Sequence, residues 1–285
     1  MRKVVLVSDS AMDLPQHLIE AHDIRVVPFY INFTNESYRD GVDITTRELY
    51  DKVEELKELP KSGAVSPAGW QEVFDPIVAA GYDIFCLTIG SKISSTFQNA
   101  YIASLEYDKG RVEVLDSTVL SSAISILMLK AIGLRDQGKS ATEIKKAIEP
   151  MRAKLHTQFV IPTLDYLYKG GRCSAMAKVV GTVLSIKPQI KMTDGVLDVY
   201  KKSVGKMSRA VDGMLDDFFL MAKADKLDLE YVFITHSFGE RMFEYMKEKV
   251  EAENLGIKHL IEGNAGSVIS THCGPGTIGI LYLEK

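Results

Sequence analysis

Ile84-Phe85-Cys86-Leu87-Thr88-Ile89 runs directly into Gly90-Ser91-Lys92-Ile93-Ser94-Ser95-Thr96, and the reading of this join decides the fold. The first six residues lack the apolar–polar alternation of a half-exposed strand and predict a strand buried on both faces. A helix is predicted immediately afterwards, over Ser95–Leu105. The same unit recurs on either side. Lys3–Val7 is a short apolar run ahead of Ser8-Asp9-Ser10 and a helical spacing over Leu14–His22, and Val112–Leu115 precedes a helix predicted over Thr118–Gln137. Strands alternating with helices imply a mostly parallel sheet covered on both faces, an α/β fold. Ligands of such sheets bind in the crevice outside the carboxyl ends of the strands. One hydroxyl suffices to cap the helix after Ile89, yet Ser91, Lys92, Ser94, Ser95 and Thr96 are all polar, more than a cap requires.

Further elements follow from local chemistry. Arg25–Ile31 is β-branched and aromatic, with Pro28 pushing it towards an edge or a bulge. Thr45 and Glu48 form a capping box for a helix to Leu56, as do Ser140 and Glu143 for one to about Ala153. Ser66-Pro67 starts another helix with a hydroxyl cap and proline at the first position. From Gln158–Ile161 onward the pattern changes. A short helix, the glycine pair at 170–171 and a helix over Ser174–Val183 are predicted. Ile190–Met192 and Leu197–Tyr200 then flank Asp194-Gly195, a hairpin signal. Helices over Lys206–Ala222 and Gly239–Ala252 bracket a strand, Tyr231–Thr235, and Ile278–Leu283 is the last strand. The expected division is an N-terminal α/β domain, residues 1–155, and a smaller C-terminal α/β domain, residues 156–285.

Composition narrows the function. With 285 residues, 46% of them hydrophobic and 25% charged, the chain has enough apolar material for one or two cores and is neither disordered nor fibrous. Asp and Glu outnumber Lys and Arg, 38 to 34, for a net charge of −4. That argues against a broad nucleic-acid surface, which needs basic excess. The longest apolar-leaning run, Val119–Leu129, is interrupted by serines and too short to span a bilayer, which takes about 20 residues. Val4–Val7 is too short for a secretory core of roughly 7–15 residues. The three cysteines, Cys86, Cys173 and Cys273, are odd in number and widely spaced, and read as free thiols of a reducing cytoplasm.

Several motifs have bland readings beside functional ones. Gly133-Leu-Arg-Asp-Gln-Gly138-Lys139-Ser140 matches the phosphate-loop pattern, but a helix rather than a strand precedes it. Gly138 then reads as a helix C-cap and Ser140 as the next N-cap. Gly274-Pro275-Gly276-Thr277-Ile278-Gly279 matches the dinucleotide fingerprint, yet only six residues follow it, so the dinucleotide reading fails. A turn, or a close backbone approach to a ligand, remains. Ser10 with Asp13 fits an N-cap with a first-turn acid. Ser62-Gly63-Ala64-Val65-Ser66 is a loop of small residues that either approaches a ligand or merely links. His272 is the most suggestive of the six histidines. No cluster has metal-ligand spacing, and no Gly-x-Ser-x-Gly elbow is present.

Taken together, Ser8-Asp9-Ser10 with Asp13-Leu14, Ser62 to Pro67, Ser91 to Gln98, Asp116-Ser117, Leu164-Asp165-Tyr166-Leu167-Tyr168-Lys169-Gly170-Gly171-Arg172, Ile186-Lys187-Pro188 and Thr271-His272-Cys273-Gly274-Pro275-Gly276 resemble the DegV family of bacterial lipid-binding proteins. The match is collinear over essentially the whole chain. The resemblance implies two α/β domains with one long-chain fatty acid in a tunnel between them. It further implies a carrier, not catalytic alone, that presents the acid to a separate ATP-binding fatty acid kinase subunit. That subunit makes an acyl phosphate for phospholipid synthesis. By position, Ser62, Ser94 and His272 would contact the carboxylate and Arg172 would serve phosphoryl transfer, with neither metal nor cofactor. The sequence departs from the family pattern at Ser62, where threonine is common, at Gly63-Ala64-Val65, where Ser-Gln-Pro is usual, at Ser95, where glycine is common, and at Cys273, a frequent threonine.

This fits the chemistry of the residues. A fatty acid tail favours burial by about 0.8 kcal/mol per CH₂, and its carboxylate must be hydrogen-bonded. Hydroxyls and an imidazole satisfy it without the ion pair of an arginine clamp, and leave an oxygen free to attack a phosphoryl group. Phe29 and Ile31 are the candidates for the apolar lining. Two other readings stay open: a serine hydrolase or acyltransferase with Ser94 as nucleophile and His272 as base, and a regulatory module binding another amphiphile.

Overall fold

A computed structural model describes residues 2–172 and 186–285. Its first sheet has strands β1 (Val4–Asp9), β2 (Arg25–Val27), β6 (Asp83–Thr88) and β7 (Val112–Asp116) in the order β2-β1-β6-β7, all parallel. The helices of this half are α1 (Gln16–Ala21), α2 (Thr46–Leu56), α3 (Pro67–Ala79), α4 (Thr96–Ser104), α5 (Ser122–Asp136) and α6 (Ala141–Ile148). Three short antiparallel strands, β3 (Tyr30–Asn32), β4 (Ser37–Arg39) and β5 (Lys61–Gly63), form a second sheet in the order β4-β3-β5. Pro28 accounts for the break between β2 and β3: it has no N–H to continue the ladder, so the predicted single strand over residues 25–31 is two strands in different sheets.

The third sheet has six strands, β8 (Leu155–Val160), β9 (Ile186–Thr193), β10 (Val196–Val204), β11 (Leu227–Ser237), β12 (His259–Asn264) and β13 (Thr277–Glu284), in the order β10-β9-β8-β13-β11-β12. Only the β11–β12 pair is parallel. Helices α8 (Met207–Lys223) and α9 (Glu240–Ala252) pack their apolar stripes on one face. The opposite face meets the first half. One core cluster unites Leu6, Phe85 and Leu115 of the parallel sheet with Phe159, Phe233 and Leu281 of the large one. Two short helices, α7 (Asp165–Lys169) and α10 (Ser267–Cys273), complete the fold.

Both capping boxes form, at Thr45/Glu48 and Ser140/Glu143, and Ser66 caps α3 with Pro67 at its first position. The hairpin turn is at Asp194-Gly195, both with positive φ, as its sequence demands. Four further expectations change. The helix after β7 starts at Ser122 rather than Thr118, because Thr118 and Ser121 have φ +60 and +57 and cannot be helical. The helix from Ser140 ends at Ile148 and passes into a 3-10 turn over Glu149–Lys154, where Pro150 lacks a donor. Ser10 and Asp13 do not cap α1: Asp9 caps a 3-10 turn over Ser10–Met12, Asp13 has φ +53, and Pro15 precedes α1. Strand β5 claims part of the supposed loop at Ser62–Ser66. The predicted helix Ser174–Val183 lies outside the described residues.

The phosphate-loop match is what its context indicates. Gly133 lies inside α5, Gly138 has φ +80 just past its end, and the Ser140 hydroxyl accepts from Glu143 N. No helix among the described residues is long and apolar enough to cross a membrane.

Candidate functional site

A cavity lies where the carboxyl ends of the parallel strands meet the bare face of the six-stranded sheet. The space between its side chains is about 810 Å³, open mouth included. From the parallel side come Ile89, Ile93 and Ser94 after β6, Leu120 and Ser121 after β7, and Phe29 ahead of β3. From the large sheet come Thr157 and Phe159 of β8, Thr235 of β11, and Thr277, Gly279 and Leu281 of β13. Helix α10 adds Val268, Ile269, His272 and Cys273. Ile31, the other candidate for the lining, is instead packed in the core.

Ser62, Ser94, His272 and Arg172 all line this cavity, from four separate stretches of chain. Strand β5 positions Ser62, which sits opposite Ile31 of β3. Its Oγ is 2.8 Å from His272 Nε2. Ser94 Oγ is 3.0 Å from Thr96 Oγ1, at the start of α4. Arg172 Nη1 donates to Gly170 O at 2.6 Å. Burial and the Arg172 charge lower the His272 pKa to about 4, so the imidazole is neutral at neutral pH. Its Nδ1 is buried with no partner and faces Gly170, where a methyl group would overlap it. Burial pushes the Cys273 thiol up to about 12, and it stays protonated.

The hydrolase geometry is not assembled. His272 is paired with Ser62, Ser94 is paired with Thr96, and Nδ1 lacks the carboxylate that orients the base of a triad. The arrangement offers a ligand two hydroxyls, a neutral imidazole and a guanidinium in one cavity whose exposed surface is mostly apolar. Among the described residues, no group of His, Cys, Asp and Glu side chains is placed to hold a metal ion.

A set of residues that sequence reasoning treated as caps, or passed over, sets this geometry. Asp13 Oδ1 accepts from Gly266 N and Asp40 Oδ1 from Ser267 N, each at 2.8 Å, so two acids of the first half hold the N-terminus of α10. Asp13 also accepts from Ser121, and Ser10 donates to Asp40 while accepting from Phe29 N. Asp9 accepts from Ile89 N at 2.8 Å. Burial raises Asp9 to about 7, Asp13 to about 8, and Asp40 as well. Four cavity residues, Phe29, Ile89, Ser121 and, through its helix, His272, thus hang on three buried acids. Their signal in the sequence was only that Asp9 and Asp13 follow the strand predicted over Lys3–Val7; nothing local singled out Asp40.

Comparison with known proteins agrees with this architecture. The family model described as "Uncharacterised protein, DegV family" matches residues 3–285. A DegV domain-containing protein of Caldanaerobacter subterraneus subsp. tengcongensis is 34% identical over 285 residues, covering 100% of both chains. A solved structure titled "Fatty Acid Binding of a DegV family Protein from Thermus thermophilus" superposes with TM-score 0.91 at 29% identity, covering 100% of both chains. A stearic acid-binding protein from Eubacterium ventriosum gives TM-score 0.84 at 28% identity over 100% of this chain and 99% of its own. A match along the whole chain, in a family whose solved members include fatty-acid-binding proteins, is decisive: the chain belongs to the DegV family.

Proposed function

We propose that this protein is a cytoplasmic carrier that binds one long-chain fatty acid between its two halves, residues 1–155 and 156–285. The acid's carboxylate is held by Ser62, Ser94 and His272. The carrier turns nothing over by itself; it presents the head group to a separate ATP-dependent kinase subunit, which forms the acyl phosphate that feeds phospholipid synthesis. The observation that supports this most directly is one cavity with Ser62, Ser94, His272 and Arg172 among otherwise largely apolar lining residues. An aliphatic tail gains about 0.8 kcal/mol per buried CH₂. A head held by hydroxyls and a neutral imidazole keeps more electron density on its oxygens than one clamped by cations. Arg172 supplies the charge that transfer of a phosphoryl group needs.

Extraction tests the binding half. Protein purified without detergent releases a long-chain fatty acid, near one per chain; recovery of a nucleotide, or of no lipid from several hosts, refutes it. Substitution tests the transfer half. Arg172→Ala binds the acid nearly as wild type, while acyl phosphate formation with the kinase subunit and ATP falls at least tenfold, about 1.4 kcal/mol of barrier. Unchanged formation refutes the role given to Arg172, and a parallel loss of binding makes it a carboxylate ligand instead.

A further inference from the structure

The cavity wall holds one hydroxyl that the protein does not use. Among the described lining residues, the other serines and threonines are all paired. Ser62 is with His272, Ser94 with Thr96, Ser121 with Asp13, and Thr235 with Ser122 at 2.7 Å. Ser237 bonds Tyr50 and Ser270, and Thr277 donates to Cys273 O at 2.8 Å. Thr157 is 1% exposed and its Oγ1 has no hydrogen-bond partner. Strand alternation turns it towards the cavity. Leu155 and Phe159, two residues either side of it, belong to the core cluster between the halves, whereas Val160 belongs to the cluster beneath α8 and α9. Valine has nearly the same shape and buries there without a stranded polar atom. A buried hydroxyl without a partner is a cost that folding does not need.

The strand register says where along a ligand this hydroxyl falls. Thr157 is paired with Leu281 on β13, and Thr277 on the same strand bonds to Cys273, the neighbour of His272. Four residues of strand separate the two rows, about 14 Å at 3.4 Å per residue. An extended covalent chain advances about 1.2 Å per bond, so about 12 bonds cover that distance and Thr157 meets a tail at roughly carbons 12 to 13, counted from a carboxyl group near His272.

We propose that the cavity is adapted to a fatty acid carrying a hydrogen-bonding oxygen in mid-chain, a hydroxy acid, with Thr157 as the residue that selects it. This rests on the fatty-acid reading above and goes further by naming the subclass. The surface of the chamber is mostly apolar and its other serine and threonine hydroxyls are paired within the protein, so one unpaired hydroxyl discriminates strongly. The oxygenated ligand satisfies the Thr157 hydroxyl and has its own hydroxyl satisfied in return, whereas a plain alkyl tail leaves Thr157 stranded.

The test compares octadecanoic acid, 12-hydroxyoctadecanoic acid and a cis-monounsaturated octadecenoic acid on the full chain, freed of lipid. Wild type is expected to bind the hydroxy acid about fivefold or more tighter than octadecanoic acid. Thr157→Val is expected to erase that ratio without weakening octadecanoic acid, and Thr157→Ser to keep it. Octadecanoic acid binding with no preference for the hydroxy acid refutes this inference alone, as does a preference that survives in Thr157→Val. A preference for the unsaturated acid only, lost in Thr157→Val, also refutes it, because the hydroxyl then serves a double bond. Binding of none of the three refutes the fatty-acid reading and this inference with it.

Discussion

Gly170→Ala puts the head-group geometry to a direct test, because the reason for glycine at that position is the His272 ring. A methyl carbon there overlaps His272 Nδ1 and stands 2.9 Å from the Tyr166 carbonyl oxygen and 3.3 Å from His272 Cε1. The carbonyl belongs to α7 and is bonded to Gly170 N at 2.8 Å, so the imidazole gives way most, with a small backbone adjustment relieving the carbonyl contact. Ordinary van der Waals separation needs the ring to retreat by about 1 Å. The Ser62–His272 contact is 2.8 Å now, and a ring displacement of that size, whether it stretches or compresses the contact, spoils its hydrogen-bond geometry. Overpacking lowers stability by about 1–3 kcal/mol. Loss of one donor to a carboxylate costs about 1.5–3 kcal/mol of binding, roughly a ten- to hundredfold weaker fatty acid. A fatty alcohol of equal length loses much less. Equilibrium binding of both ligands is measured in wild type, Gly170→Ala, Ser62→Ala and the double variant, with folding checked by circular dichroism. Because the glycine acts through the Ser62–His272 pair, its effect shrinks in the Ser62→Ala background. Wild-type acid binding by a folded Gly170→Ala protein refutes the placement of His272 at the head group, and full additivity of the two changes refutes the route through Ser62.

Three further outcomes follow from the same structure. Asp13 has its folded pKa near 8, above the usual 3.8, so the folded state holds more protons than the unfolded one. Stability therefore falls as pH rises between those values, by up to about 1.4 kcal/mol per pH unit for this group. Asp13→Asn, which still accepts from Gly266 N, should make urea midpoints at pH 6 and pH 8 more alike, and an unchanged difference contradicts the assignment; Asp9 keeps part of the slope. Gly133→Ala, interior to α5 with open space at its Cβ, should raise stability by about 0.5–1 kcal/mol. Gly138→Ala, at φ +80, should lower it by about 1–2 kcal/mol, and equal shifts in melting temperature contradict the cap reading of this motif. Lys139→Ala, whose exposed amine stands 3.6 Å from Glu143, should change stability by less than about 0.5 kcal/mol; ATP binding that disappears in it by calorimetry revives the phosphate loop.

The parallel sheet was legible because its strands are continuous apolar runs separated by helical spacing, and the carboxyl-end rule then pointed at the polar segment from Ser91 to Thr96, within which only the resemblance singled out Ser94. What escaped has physical reasons. Strands β4 and β5 are three residues each and carry Ser37, Arg39, Lys61 and Ser62, too short and polar to show a period. Helix α10, Ser-Val-Ile-Ser-Thr-His-Cys, is built from poor helix formers and exists because Asp13 and Asp40 take its first amides. The pairing of Ser62 with His272 spans 210 positions, and no local pattern encodes it. The unpartnered state of Thr157 depends on every neighbour in three dimensions, so β8 reads in sequence as an ordinary strand.

The three buried acids explain how a loose set of hydroxyls becomes a defined site. Ser62 and Ser94 sit on short segments, and α10 has too few turns to hold itself in place. Fixing the imidazole therefore needs anchors outside the helix, and they come from the first half: Asp13, just after β1, and Asp40, just after β4, accept from the first amides of α10, while Asp9 at the end of β1 holds Ile89 N. Because burial favours their neutral forms, these anchors need not present full negative charge to the chamber at neutral pH. That matters for the ligand. Three full charges near an incoming carboxylate in a poorly screened interior would repel it strongly, whereas neutral or shared-proton acids keep their hydrogen bonds with little opposing field. Burial likewise favours the neutral form of His272. On the carrier reading proposed above, neutral hydrogen-bonding groups beside the guanidinium of Arg172 suit a carboxylate whose oxygens stay reactive.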